Sequence, residues 1–132
     1  MANRIPINQS EHDNVIQAAY NGLDKVNHDV YINPGHSNRT SVAGFYPDII
    51  ITNKGDNNVK FIIEVETADS INQNEVQQWI NFSTRISGTF YLLVPYEHKN
   101  KAEVLCRQNG VKARFGTYRK DAWGTINNIQ YE

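Results

Sequence analysis

The chain has a single cysteine, Cys106, in 132 residues. It can therefore close no internal disulfide and build no zinc cluster on thiolates. No apolar run approaches the roughly 18 residues that cross a bilayer, and no basic segment followed by an apolar one stands near the start. These absences predict a cytoplasmic protein. Charge of one sign is also scarce: 13 Lys and Arg face 14 Asp and Glu, a formal net charge of −1. Overall charge thus gives no drive toward nucleic acid. There is no phosphate-cradling glycine loop, no serine nucleophile elbow and no internal repeat.

What is present is an ordinary globular composition, 39% hydrophobic and 20% charged, at a length that suits one domain, residues 1–132. The charge is unevenly spread. Residues 99–120 hold seven basic side chains and one acidic, whereas residues 1–98 hold six basic and eleven acidic. Such a basic stretch either holds a phosphate backbone or is a solvated surface. Within it, Lys112 and Arg114 are candidates for substrate binding, together with Arg39 from the loop 33–46.

Hydrophobic periodicity predicts the elements. Ser10 reads as the N-cap of a first helix over about 10–22, with Asp13 in the place of a capping-box acid and Val15, Ile16, Ala19 and Leu23 inward. Val26–Ile32 reads as a strand, followed by the loop 33–46. The β-branched run Asp48–Thr52, the turn formers of 53–58 and the run Val59–Thr67 predict a hairpin. A helix over about 70–86 places Ile71, Val76, Trp79, Ile80 and Ser83 inward. Thr89–Val94 is the most apolar strand. A helix over 99–109 turns Ala102, Leu105 and Cys106 to the core, with Gly110 past its end. Val111–Tyr118 returns as a strand, and 119–132 as a turn and an edge strand. Near-continuous apolar strands flanked by helices predict a three-layer α/β sandwich.

The chemistry concentrates in Tyr46-Pro47-Asp48 and, sixteen residues after the aspartate, Glu64-Val65-Glu66. Alternation along a strand puts Ile62, Glu64 and Glu66 on one face. Asp48 opens the neighbouring strand and comes beside them. Buried carboxylates need a counter-charge. A hard divalent cation with oxygen ligands, Mg²⁺ or Mn²⁺, supplies it; the alternatives are solvation of Glu66 and pairing of Glu64 with Arg39 or Arg85. The four histidines share no ligand spacing and read as exposed side chains, with His36 beside Arg39 in the loop.

Pro47-Asp48, a turn, and an apolar strand ending in acid-x-acid resemble the PD-(D/E)XK nuclease superfamily, whose restriction-endonuclease-like core runs α-β-β-β-α-β. The resemblance spans roughly residues 10–118. It implies that Asp48 and Glu64 are the metal-binding acids. Glu66 stands where the family usually has a water-activating lysine, a variant that a minority of restriction-type enzymes share, and it would act as a further ligand or base. Glu11 is similar to an accessory acid that some members direct at the metal. Gln78 and Phe82 match the Gln-x-x-x-aromatic spacing of one branch, while Trp79 reads as core. The implied activity is Mg²⁺- or Mn²⁺-dependent hydrolysis of DNA phosphodiesters with low sequence specificity, by an enzyme acting as a homodimer. The alternative is a catalytically inactive module on the same fold that binds nucleic acid or a protein.

Overall fold

A computed structural model describes residues 4–35 and 39–132. His36 lies outside the described residues. A six-stranded mixed sheet carries three helices in the order α1 (Pro6–Gly22), β1 (His28–Ile32), β2 (Ile49–Asn53), β3 (Val59–Val65), α2 (Val76–Arg85), β4 (Thr89–Pro95), α3 (Lys99–Gln108), β5 (Arg114–Lys120) and β6 (Ile126–Tyr131). The strands lie side by side in chain order. β1, β2 and β3 form an antiparallel meander, β4 and β5 follow parallel to β3, and β6 returns antiparallel to β5. The parallel steps are the ones spanned by α2 and α3, as crossover connections require.

Each sheet face carries its own core. Ile49, Ile51, Ile63, Val65, Leu93 and Tyr118 pack with Val15, Ile16 and Ala19 of α1. Ile50, Ile62, Leu92 and Phe115 point the other way and pack with Val76, Trp79 and Phe82 of α2 and with Ala102 and Cys106 of α3. The isoleucine run of β2 is divided between the two faces by the two-residue period of a strand. Burial pushes the Cys106 thiol pKa up to about 11, as befits a core residue rather than a nucleophile. Among the described residues no helix is long and apolar enough to cross a membrane.

Three element boundaries depart from the sequence expectation. α1 begins at Pro6, not Ser10. Proline has no N–H to lose in a first helical turn and its fixed φ suits that place, so the helix gains a turn and Ser10 becomes an interior residue. The second helix does not start at 70. Ala68–Ser70 and Gln73–Glu75 are separate 3₁₀ turns, and the Asn72 side chain accepts from the Asn74 N–H to cap the second. Ser70 closes a capping box on the first turn, its hydroxyl accepting from the Thr67 N–H and donating to Glu66. Val111 is buried in the connection before β5, which starts only at Arg114. The tail pairs within the chain, as β6 on β5. At the α2–β4 turn Gly88 has φ +119°, and a Cβ there would meet the Lys60 carbonyl at 3.0 Å, so only glycine fits against β3.

Candidate metal and carboxylate site

The hairpin brings Asp48 and Glu64 into contact. β2 and β3 pair with Ile49 opposite Ile63, so Asp48 falls level with Glu64. The Asp48 N–H donates to Glu64 Oε1 at 3.1 Å, and the Val65 N–H donates to Asp48 Oδ2 at 2.8 Å. Both side chains are buried, as is Glu66 beyond the end of β3. The three acids foreseen from the sequence therefore gather at one end of the sheet. They are not treated alike.

Glu66 is fully engaged. Arg4 Nη2 lies 3.1 Å from its Oε1 in a buried ion pair, the Trp79 indole donates to Oε2 at 2.8 Å, and the Ser70 hydroxyl donates to Oε1. Arg4 is itself braced by Thr67 Oγ1, Ser70 Oγ and the Val65 carbonyl. Burial is the largest influence on Glu66 and lifts its pKa from 4.5 to about 7, against the Ser70 and Trp79 hydrogen bonds, which lower it. The alternative of a solvated Glu66 is excluded: a cation 62 residues upstream pairs with it in the interior.

Glu64 has only neutral donors: the Asp48 N–H and, at 3.2 Å, the Gln78 side-chain amide. No ion pair reaches it among the described residues, so the alternative of a pairing with Arg39 or Arg85 is not formed. Burial, then the charges of Asp48 and Glu66, push its pKa well above the usual carboxylate range. Gln78 is thus the member of the Gln-x-x-x-aromatic pair that touches the acids, while Phe82 is core.

A histidine completes the site. His12, 1% exposed, sets Nε2 3.0 Å from Asp48 Oδ2 and Nδ1 3.2 Å from Asp13 Oδ1. Burial alone would lower its pKa, but the hydrogen bond and charge of Asp48, helped by Asp13, outweigh it and raise it. The ring held between two carboxylates favours the doubly protonated form. His12 contradicts the reading of all four histidines as exposed. A signal for it exists: His12, Val15, Ile16 and Ala19 follow the i, i+3, i+4, i+7 spacing of a buried stripe, and all four are buried. Asp13, expected to close a capping box, instead accepts from the Gly35 N–H at 2.7 Å and ties α1 to the loop after β1.

The remaining candidates lie farther out. Glu11 pairs with Lys120 and lies 2.7 Å from the Tyr118 hydroxyl, which is also 3.1 Å from the Glu66 carbonyl oxygen. Glu11 therefore faces β5 rather than Asp48 and Glu64. Arg39 is exposed on the segment that Asn33 pins to the Pro47 and Thr40 carbonyls, near the entry to β2. Arg114 leans over the Tyr91 ring, 5.7 Å from its centroid, on the α1 face of the sheet, and Glu64 points to the α2 face. Lys112 is exposed in the connection before β5. Neither reaches the acids. The basic stretch is dispersed, with Lys99 paired to Glu132, Lys120 to Glu11, and Arg119 stacked on Tyr96.

The donor set is a minimal one. Asp48 and Glu64 offer hard oxygens side by side, which suits Mg²⁺ or Mn²⁺ held by one or two carboxylates with water and substrate oxygens. Among the described residues no group of three or more His, Cys, Asp or Glu is placed so that it could hold a metal ion, so the set foreseen from Asp48, Glu64, Glu66 and Glu11 is not assembled. No family model, no curated protein and no solved structure matches the chain.

Proposed function

We propose that the chain is a restriction-endonuclease-like domain that hydrolyses DNA phosphodiester bonds with low sequence specificity, using Mg²⁺ or Mn²⁺ at Asp48 and Glu64. The element order from α1 to β4 agrees with the core order of that superfamily. The observation that carries the reading is the contact of Glu64 with Asp48, two buried carboxylates of which Glu64 meets no cation among the described residues. A divalent ion bound there would polarise the phosphate and acidify a water molecule. The chain's own residues do the positioning. Gln78 orients Glu64, His12 and the Val65 N–H orient Asp48, and the exposed Arg39 on the loop before β2 is the candidate to meet a phosphate. A homodimer would present two such sites to the two strands of a duplex.

A second reading, a catalytically inactive module on the same fold that binds nucleic acid or a protein, is favoured by one observation. Glu66 occupies the usual lysine position and is 0% exposed, with its oxygens taken up by Arg4, Trp79 and Ser70. It has no freedom to serve as a base.

The two readings separate in one experiment. Purified protein is incubated at low salt with Mg²⁺ or Mn²⁺ and with supercoiled, linear, single-stranded and branched DNA, beside Asp48→Ala and Glu64→Ala. Metal-dependent cleavage lost in both variants supports the enzyme. Absence of cleavage together with absence of calorimetric Mn²⁺ binding supports the inactive module. Absence of Mn²⁺ binding by the wild type removes the metal from the reading.

A further inference from the structure

The β5–β6 turn carries a tryptophan with no place in the core. Trp123 is 92% exposed, whereas Trp79, the other tryptophan of the chain, is fully buried. Isolated exposed apolar residues are common and call for no explanation. Trp123 differs in being held. The Asp121 carboxylate accepts from the Trp123 and Thr125 N–H groups, both at 2.9 Å, and the Gly124 N–H donates to the Asp121 carbonyl at 3.0 Å. Gly124 has φ +83°, a conformation that glycine adopts without strain. The backbone of the turn is therefore braced from inside, and the indole stands outward from it.

Beside it, a groove of about 440 Å³ runs between this turn and the outer side of α1. Its α1 wall is Asn14, Gln17, Ala18 and Asn21, and its other wall is Trp123 and Thr125. Asn14, Gln17 and Asn21 follow Glu11 along one stripe of the helix. The Gln17 amide donates to Asn21 Oδ1 at 2.9 Å, which fixes how the two amides face. Not one of these residues carries a formal charge. The volume falls within the range of small-molecule sites.

Uncharged amides with donors and acceptors, next to a flat exposed indole, suit a flat polar ring that stacks and offers hydrogen-bonding edges. We propose that this groove seats an unpaired nucleobase, stacked on Trp123 and read at its edge by Asn14, Gln17 and Asn21. The ligand is then single-stranded or locally unpaired nucleic acid, because in a duplex the base faces are stacked and out of reach. The inference rests on nucleic acid being the ligand of the domain and not on cleavage.

The test is done in EDTA, so that metal and cleavage play no part. A short fluorescein-labelled single-stranded DNA and its blunt duplex are titrated by anisotropy against the wild type, Trp123→Ala and Asn14→Ala/Asn21→Ala. Indole emission is followed in parallel. The expected result is tighter binding of the single strand, quenching of the exposed indole, and at least about fivefold weaker binding by Trp123→Ala, the loss that stacking of one base supplies. Thermal melting of the variant should be unchanged, since the indole packs on nothing. If Trp123→Ala binds the single strand as tightly as the wild type, the groove is idle, although the nucleic-acid reading survives. If N-acetylglucosamine or maltose quenches the indole and DNA does not, the occupant is a sugar and the inference falls. If neither DNA form binds the wild type at all, the inference falls with the nucleic-acid reading itself.

Discussion

Glu64 on β3 and Glu66 just past its end stand two residues apart, and the fold disposes of their charge in opposite ways. Glu66 receives a guanidinium, an indole and a hydroxyl. Glu64 receives two neutral amides and a neighbouring carboxylate. An ionised carboxylate in the interior must be paired or must take up a proton. The Glu66 half is therefore a finished structural network. The Glu64 half is finished only when something positive arrives, a proton in the free protein or a cation in the bound one. Burial alone does not distinguish a ligand from a strut, since both acids are buried. The identity of the donors does.

The sharpest way to break this comparison is to remove the finished half's cation. Arg4→Ala leaves Glu66 buried without its partner, and breaking a buried pair from one side typically costs about 3–5 kcal/mol. The expected cost lies toward the lower figure below pH 7, where Glu66 can take a proton instead. Urea unfolding measures it. Arg4→Ala/Glu66→Gln should recover much of the loss, because the charge is removed from both sides. If Arg4→Ala unfolds at the wild-type midpoint, the pair is an ornament and the contrast with Glu64 disappears.

The next effect is on the pH dependence of the metal-free protein. Glu64 and Glu66 have folded-state pKa values raised above the ordinary 4.5, and His12 is raised above 6.5. Between about pH 5 and 8 the folded chain therefore binds more protons than the unfolded chain, and stability falls as pH rises. Each such group contributes up to about 1.4 kcal/mol per pH unit within its window. Asp24 and Asp29, whose hydrogen bonds lower their pKa values, act below this window with the opposite sign. Glu64→Gln should flatten the curve and raise stability near pH 8 in the absence of metal. Excess Mn²⁺ should flatten the wild-type curve in the same way. A midpoint that climbs from pH 5 to 8 in metal-free buffer would sink the account of the Glu64 half.

This asymmetry was half legible beforehand, and the missing half is instructive. Four β-branched residues after Asp48, a cluster of turn formers and a second apolar run suffice to pair β2 with β3, because those signals are local. Two-residue alternation then places Glu64 and Glu66 on one face. The partners are different. Arg4 and Glu66 are separated by 62 residues, and His12 and Asp48 by 36. Nothing near Arg4 marks it as a core residue. Pro6 is a local signal for a helix start earlier than Ser10, but it does not show where Arg4 points. For His12 the stripe with Val15, Ile16 and Ala19 was present too. Histidines compared only with one another, for metal spacing, hide that pattern.

The smallest effect separates ligand from strut most cleanly. Gln78→Ala removes one neutral hydrogen bond from a half-buried place, so metal-free stability should change by about 1 kcal/mol or less. Yet Gln78 orients the acid that the metal reading depends on, and loss of such an orienting partner typically lowers metal affinity by about 10- to 100-fold. Ser70→Ala should behave in reverse. It takes a buried donor from Glu66 and an acceptor from Arg4 and the Thr67 N–H, so the loss in stability should exceed that of Gln78→Ala while Mn²⁺ affinity stays near the wild type. Calorimetric Mn²⁺ titrations and urea melts on the two variants give four values. A crossed pattern assigns Glu64 to the ligand role and Glu66 to the structural one. If Ser70→Ala weakens Mn²⁺ as much as Gln78→Ala does, the two acids act as one centre, and Glu66 is a metal ligand after all.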